Sequence, residues 1–189
     1  RCVLLLVASA VSALGAVCLT LIWEKRLVQA FSSDLIRFYY GDDLIGNEVG
    51  AAAKNVVGIA AGFLDGKGLS SLKGALMSRG TREVARLIKA MGGNELSAYG
   101  LCHLGDYEAT VFSPYSHNRQ FGESFIRGET YTDLAEGYYT VEALVLLGQR
   151  YGVELPICQA VHRVLYCGAD PMQELRALLD RNLTREFGE

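Results

Sequence analysis

Lys54 stands in the run Gly50-Ala51-Ala52-Ala53-Lys54-Asn55-Val56-Val57-Gly58, a segment of small and apolar residues. An amine in that setting could move a proton. A free lysine, at ~10.4, is a poor base at neutral pH; apolar surroundings lower such a value, toward the range where acid–base catalysis works best. A lysine that snorkels from a helix edge has the same neighbours, so the segment alone leaves both roles open. Polar residues gather inside apolar sequence at two further places. Leu104-Gly105-Asp106 offers a carboxylate, or an ordinary turn residue or helix cap. Ser116-His117-Asn118-Arg119-Gln120-Phe121-Gly122 puts a hydroxyl, an imidazole, an amide and a guanidinium in four consecutive positions. At a helix start such donors add to free backbone N–H groups and suit a phosphate, although a plain capped helix after Pro114 would look alike. His103 reads as a satisfied buried histidine, and His162 carries no assigned role.

The elements that must position these residues are mostly helices. Residues 47–64 predict a first long helix of about 27 Å at 1.5 Å per residue. Gly46, Gly50, Ala53, Val57, Gly58, Ala61 and Gly62 give it a small-residue face. Each interior glycine costs roughly 1 kcal/mol against alanine, so close approach of another backbone or of a ligand is expected there. Asp65-Gly66-Lys67-Gly68 ends it. Ser70 or Ser71 is expected to cap a second helix carrying Leu72, Leu76, Val84, Leu87, Ile88 and Met91 inward, stopped by Gly92-Gly93. Thr140 opens a helix to about Tyr151. Pro156 starts the next, with Val161, Val164 and Leu165 inward and Gly168 beyond its end. Asp170-Pro171-Met172-Gln173 resembles a capping box ahead of Leu175, Leu178 and Leu179. Before all of these, Glu24 to Phe31 reads as a helix end, and Ile36-Arg37-Phe38-Tyr39-Tyr40 as a strand before a Gly41-Asp42-Asp43 turn.

Bulk properties exclude several classes. The chain has 189 residues, half of them apolar, and a net charge of −3, which argues against disorder and against a nucleic-acid surface. Five scattered cysteines (Cys2, Cys18, Cys102, Cys158, Cys167) without a CxxC, and three histidines without ligand spacing, suggest a reduced, cytoplasmic setting and no metal. Residues 2–23 carry no charge. They read as a membrane span, or as a buried strand from Cys2 to Ala8 followed by a buried helix from Val11 to Trp23. The chain opens on Arg1 rather than Met, as a piece of a longer protein would.

Taken in order, Lys54-Asn55-Val56-Val57, Asp65-Gly66, Ser78-Arg79-Gly80, Leu104-Gly105-Asp106, Ser116-x-Asn118-Arg119-x-Phe121-Gly122, Ala135-Glu136-Gly137 and Gly152-Val153-Glu154-Leu155-Pro156-Ile157 form a series that resembles NAD(P)-dependent glycerol-3-phosphate dehydrogenase. The likeness covers roughly residues 24–180 and is to the C-terminal, substrate-binding domain of that family. It implies a mainly α fold, of the type shared with the C-terminal domain of 6-phosphogluconate dehydrogenase, over residues 44–189. Residues 1–43 would then be a strand/helix remnant of a dinucleotide-binding Rossmann domain. It further implies Lys54 as the proton donor to the ketone oxygen of dihydroxyacetone phosphate and the acceptor from glycerol 3-phosphate in reverse. Asp106 matches a substrate-binding aspartate, and Ser116, His117 and Asn118 match positions that hold the phosphate end. His117, Asn118, Leu134 and Glu136 match positions that meet the cofactor, NAD or NADP, whose greater part belongs to the Rossmann domain. The product would feed phospholipid synthesis.

Departures from the family pattern matter as well. Bacterial members have Ser-Arg-Asn-Arg-Arg-Phe-Gly where this chain has Ser116-His117-Asn118-Arg119-Gln120-Phe121-Gly122. Histidine still donates to phosphate but lacks the bidentate fork and permanent charge of arginine, for which Arg119 or Arg127 could compensate. The family's Gly-x-Asn after the lysine helix is Ser70-Ser71-Leu72 here, and no Gly-x-Gly-x-x-Gly occurs. The 189 residues alone are therefore expected to bind the dinucleotide poorly and to turn over little. No stable membrane insertion is expected under this resemblance, and a homodimer stays open. Two other classes remain: a related dehydrogenase of another hydroxy acid or phosphorylated alcohol, and a non-catalytic, membrane-tethered helical module.

Overall fold

Helix α2, Leu44–Gly66, is the rod around which the rest is built. The computed structural model describes residues 21–39 and 41–180, and these are mainly α-helical. In order they form α1 (Leu21–Phe31), α2, α3 (Lys73–Ala90), α4 (His117–Arg127), α5 (Glu136–Tyr151), α6 (Pro156–Cys167) and α7 (Pro171–Leu179). Short 3-10 turns at Ser70–Leu72, Glu95–Tyr99 and Leu104–Asp106, and a π-turn at Glu108–Phe112, join them. The proposed strand at Cys2–Ala8, most of the helix to Trp23 and most of the charge-free run lie outside the described residues. Among the described residues no helix is long and apolar enough to cross a membrane.

One apolar stripe of α2 makes the core. Val49, Ala53, Val56, Ile59 and Phe63 pack against Val84, Leu87 and Ile88 of α3, Val141 and Leu144 of α5, and Val161 and Val164 of α6. Each large aliphatic chain buried there contributes about 1.5–3 kcal/mol. A smaller cluster on the other flank joins Val57 and Ala61 to Tyr107 and Val111. The glycines of α2 are explained by close approach of neighbouring chain. A Cβ on Gly62 would lie 2.1 Å from the Arg119 carbonyl oxygen, and one on Gly122 2.3 Å from that of Ile59, so α2 and α4 cross backbone against backbone. Gly137 meets the Asn55 carbonyl in the same way and brings α5 alongside.

Polar groups secure the ends of these helices. Asp43 caps α2 by accepting from the Gly46 amide, and also accepts from the Asn94 amide and the Ser97 hydroxyl. Glu83, 2 % exposed, accepts from the Ile157 and Cys158 amides at the start of α6, replacing a local cap with one from α3. Burial drives its carboxyl above the ordinary range against the pull of those two amide bonds. Asp170 caps α7 through the Gln173 amide, and Gly152 and Gly168 end α5 and α6 in left-handed conformation.

Three local expectations are corrected. Over its described part, Ile36–Tyr39, the expected strand does not form: a single Ser33–Ile36 bridge occurs there, because β-rich residues need a neighbouring strand and the described residues supply none. Neither Ser70 nor Ser71 caps α3. They lie in the 3-10 turn, and the Ser70 hydroxyl donates to Asp65 instead. Helix α5 begins at Glu136, a full turn before Thr140, whose hydroxyl donates to the Glu136 carbonyl.

Candidate active site

Lys54 and Asp106 meet. The Lys54 ammonium donates to the Asp106 Oδ2 across a separation of 52 residues, with side chains 18 % and 7 % exposed. The lone amine expected among apolar side chains is thus an ion-paired one. Sequence places Lys54 in the middle of a four-residue glycine repeat on α2, Gly46, Gly50, Gly58, Gly62 and Gly66. That repeat faces the 97–110 segment at its start and α4 at its end. Lysine occupies the one step of the repeat where the passing segment presents a carboxylate instead of bulk.

Asn118 joins the same place through Asn55. Its Nδ2 donates to Asn55 Oδ1 at 3.1 Å, and its Oδ1 accepts from the Gly137 amide at 2.8 Å. Asn55 Nδ2 in turn donates to Glu136 Oε2 at 3.2 Å. Each contact dictates which end of the amide faces which neighbour, so both side chains are oriented without ambiguity. Helices α2, α4 and the start of α5 are therefore tied together within one residue of Lys54.

Ser116 is the N-cap of α4, its oxygen accepting from the Arg119 amide at 3.3 Å. The adjoining helix N-terminus directs free N–H groups and the positive end of the helix dipole outward. His117 is exposed. Its Nδ1 lies 2.9 Å from the Tyr131 hydroxyl and 3.9 Å from Asp133 Oδ2. Leu134 is 67 % exposed in the loop before α5 and stands apart from the hydrogen-bonded cluster.

Arg119 and Arg127 do not stand in for the arginine that His117 replaces. Arg119 is drawn away from the rim: it donates to the Ser113 carbonyl at 2.9 Å, Asp65 at 2.9 Å and Glu123 at 2.8 Å. Burial works downward on its guanidinium, but Asp65 and Glu123 outweigh that and raise it further. Arg127 pairs with Glu123. Lys73, 6 % exposed, completes this knot through Asp65 and the Val111 carbonyl. Composition of the Ser116–Gly122 cluster invited a phosphate role for Arg119, whereas its reach along α4 toward two carboxylates gives it a structural one.

His103, read from sequence as a satisfied buried histidine, is so: fully buried, with Nδ1 on the Gly50 carbonyl and Nε2 on the Tyr107 hydroxyl. Asn55 and Tyr131 escaped sequence reading as site members. Adjacency to Lys54 was the signal for the first, and nothing local marked the second. A cavity of about 1880 Å³ opens elsewhere, lined by Phe63, Leu76, Arg79, Val161 and Leu178, and includes neither Lys54, Asp106 nor Asn118.

The model of the C-terminus of NAD-dependent glycerol-3-phosphate dehydrogenase matches residues 43–176. The chain belongs to this family. A glycerol-3-phosphate dehydrogenase [NAD(P)+] of Thermus thermophilus is 45 % identical over 168 residues, covering 86 % of this chain and 52 % of the relative. One from Thermotoga sp. (strain RQ2) is 38 % identical, covering 87 % of this chain and 54 % of the relative. The crystal structure of glycerol-3-phosphate dehydrogenase from Coxiella burnetii superimposes with a TM-score of 0.80 at 33 % identity, over 86 % of this chain and 53 % of that one. The chain thus spans about half the length of the relatives it matches. Its match runs from the cap of α2 into α7 and takes in every polar residue of the cluster, from Lys54 to Glu136.

Proposed function

We propose that this chain is the substrate-binding and catalytic half of a cytoplasmic NAD(P)-dependent glycerol-3-phosphate dehydrogenase. Residues 44–189 form its helical domain, and residues 1–43 end a dinucleotide-binding domain. The observation that carries the reading is that two adjacent residues of α2, Lys54 and Asn55, hold Asp106 and Asn118 respectively. Lys54 gives its proton to the C2 oxygen of dihydroxyacetone phosphate, and takes it back from glycerol 3-phosphate in reverse. Asp106 aims that amine and offers its second oxygen to a substrate hydroxyl. The Ser116 hydroxyl, the first amides of α4, His117 and Asn118 receive the phosphate.

When bound, the nicotinamide dinucleotide supplies or accepts the hydride at C2. The donor set fits one end of it. His117 and Asn118 offer donors, Glu136 an acceptor for a hydroxyl or carboxamide, and exposed Leu134 an apolar contact. The glycerol 3-phosphate so made suits phospholipid synthesis.

In the full-length enzyme, Lys54→Ala is expected to lower kcat by about 10²–10⁴-fold, the usual worth of a positioned acid–base group. Near-normal turnover would remove Lys54 from the mechanism.

A further inference from the structure

His103 and Tyr107 lie beside the candidate site, and neither has a part in the proton transfer itself. Both are completely buried, and their rings meet edge-on with centroids 4.9 Å apart. His103 Nδ1 is 2.8 Å from the Gly50 carbonyl oxygen, and Nε2 is 2.6 Å from the Tyr107 hydroxyl. A carbonyl only accepts, so Nδ1 carries the hydrogen; Nε2 of the neutral ring then accepts the tyrosine proton. Thr81 leaves that assignment intact, since its own hydroxyl donates to the Met77 carbonyl at 2.8 Å.

The two ends of this link fall at telling positions. Gly50 is four residues before Lys54, and helix geometry hands the Lys54 amide to the same Gly50 carbonyl. Asp106 lies between His103 and Tyr107 in the chain, and its amide donates to the His103 carbonyl at 3.1 Å. Gly50 is what lets the segment come so near: a Cβ there would meet Cys102 Sγ at 3.0 Å and the His103 Cβ at 3.2 Å. On either side the segment faces solvent, at Leu101, Gly105 and Glu108. Without the imidazole, the ion pair would have to hold its own carboxylate in place.

We propose that His103, locked between the Gly50 carbonyl and the Tyr107 hydroxyl, is a positioning residue that sets the Asp106 carboxylate against the Lys54 amine. The proposal rests on Lys54 being the proton donor. The ring works as a neutral strut: burial first, then the Lys54 charge, push it down to about 4 despite the favourable Gly50 bond, so it keeps one form across the physiological range.

Two variants in the full-length enzyme test this, with Lys54→Met beside them. Tyr107→Phe removes only the hydroxyl and keeps the buried ring. His103→Asn keeps a donor for Gly50 and loses the Nε2 acceptor. Both are expected to lower kcat about 10- to 100-fold while KM for dihydroxyacetone phosphate moves less than about threefold, the pattern of a misplaced catalytic group rather than a lost binding contact. Nitrogen NMR of the His103 ring should show the neutral Nδ1–H form from pH 5.5 to 8, in wild type without any ligand. Wild-type kcat in Tyr107→Phe and His103→Asn, with only a lower Tm, would make the strut purely structural and overturn the proposal. So would the Nε2–H form of the ring. If Lys54→Met itself retained turnover, the acid–base reading would fail instead, a result the first two variants cannot imitate.

Discussion

Gly122→Ala tests whether the α2–α4 crossing sets the catalytic geometry. The added Cβ would stand 2.3 Å from the Ile59 carbonyl oxygen, where ordinary contact begins at 3.4 Å, so the helices must part by about 1 Å locally. Both obstacles, Ile59 and Gly62, are backbone, which has no rotamer through which to yield. Alanine gains about 1 kcal/mol of helix propensity over glycine, whereas overpacking costs typically 1–3 kcal/mol and more against rigid atoms. The overlap wins: stability should fall by about 1–2 kcal/mol, and Tm by about 2–8 °C. Asn118 lies one turn before Gly122 on the same helix and moves with it, away from Asn55 and Lys54. A displacement on the order of 1 Å at a catalytic constellation costs up to about 100-fold in turnover. Steady-state kinetics and thermal unfolding of the full-length enzyme measure both effects. Gly74→Ala is the control, because nothing lies within 4 Å of its Cβ and activity should be unchanged. An unaltered kcat and Tm in Gly122→Ala would refute the idea that backbone contact holds α4 in register.

Two further outcomes follow from single side chains. Burial raises the Asp43 carboxyl, but the Ser97, Gly46 and Asn94 hydrogen bonds outweigh it and hold it below the usual value of 3.8. With a depressed folded value, the stability it contributes is present above pH 3.8 and lost as pH falls through the lower folded value. Urea unfolding of Asp43→Asn should therefore show a deficit against wild type at pH 6 that shrinks below pH 3.8; a deficit constant with pH would contradict the linkage. His117→Arg should lower KM for dihydroxyacetone phosphate by on the order of tenfold, since a charged fork replaces a single-point donor on phosphate. An unchanged KM would place His117 outside the phosphate site.

Much of this fold is written in local sequence. The glycine and alanine face of α2 announced a close approach, and α4 and α5 make it. Pro156, Gly168 and the Asp170 cap marked helix ends where they occur. What stayed illegible depends on partners distant in the chain. Ile36–Tyr39 has the composition of a strand, but the described residues offer no strand for it to pair with. Glu83 supplies the cap of α6 from α3, so nothing beside Leu155 reveals it. Lys54 could be singled out as an amine in apolar company, but its pairing with Asp106 is a tertiary fact. Arg119 shows the reverse case: a phosphate-binding composition, and a guanidinium committed to Asp65 and Glu123. Asn55 has its meaning only through Asn118 and Glu136, 63 and 81 residues away.

The hydrogen bonds of Asn55 have a consequence for how error spreads through the site. Lys54 belongs to α2, Asp106 bonds to it directly, Asn118 bonds to Asn55, and Glu136 bonds to Asn55 as well. Asp106, Asn118 and Glu136 are thus each referenced to one rod by a single step, as parts in a machine are measured from one datum instead of from each other. Positional errors then do not accumulate from loop to loop. The connections between α3 and α4 and between α4 and α5 are free to change length and composition, provided that what they deliver still docks on the same two turns of α2.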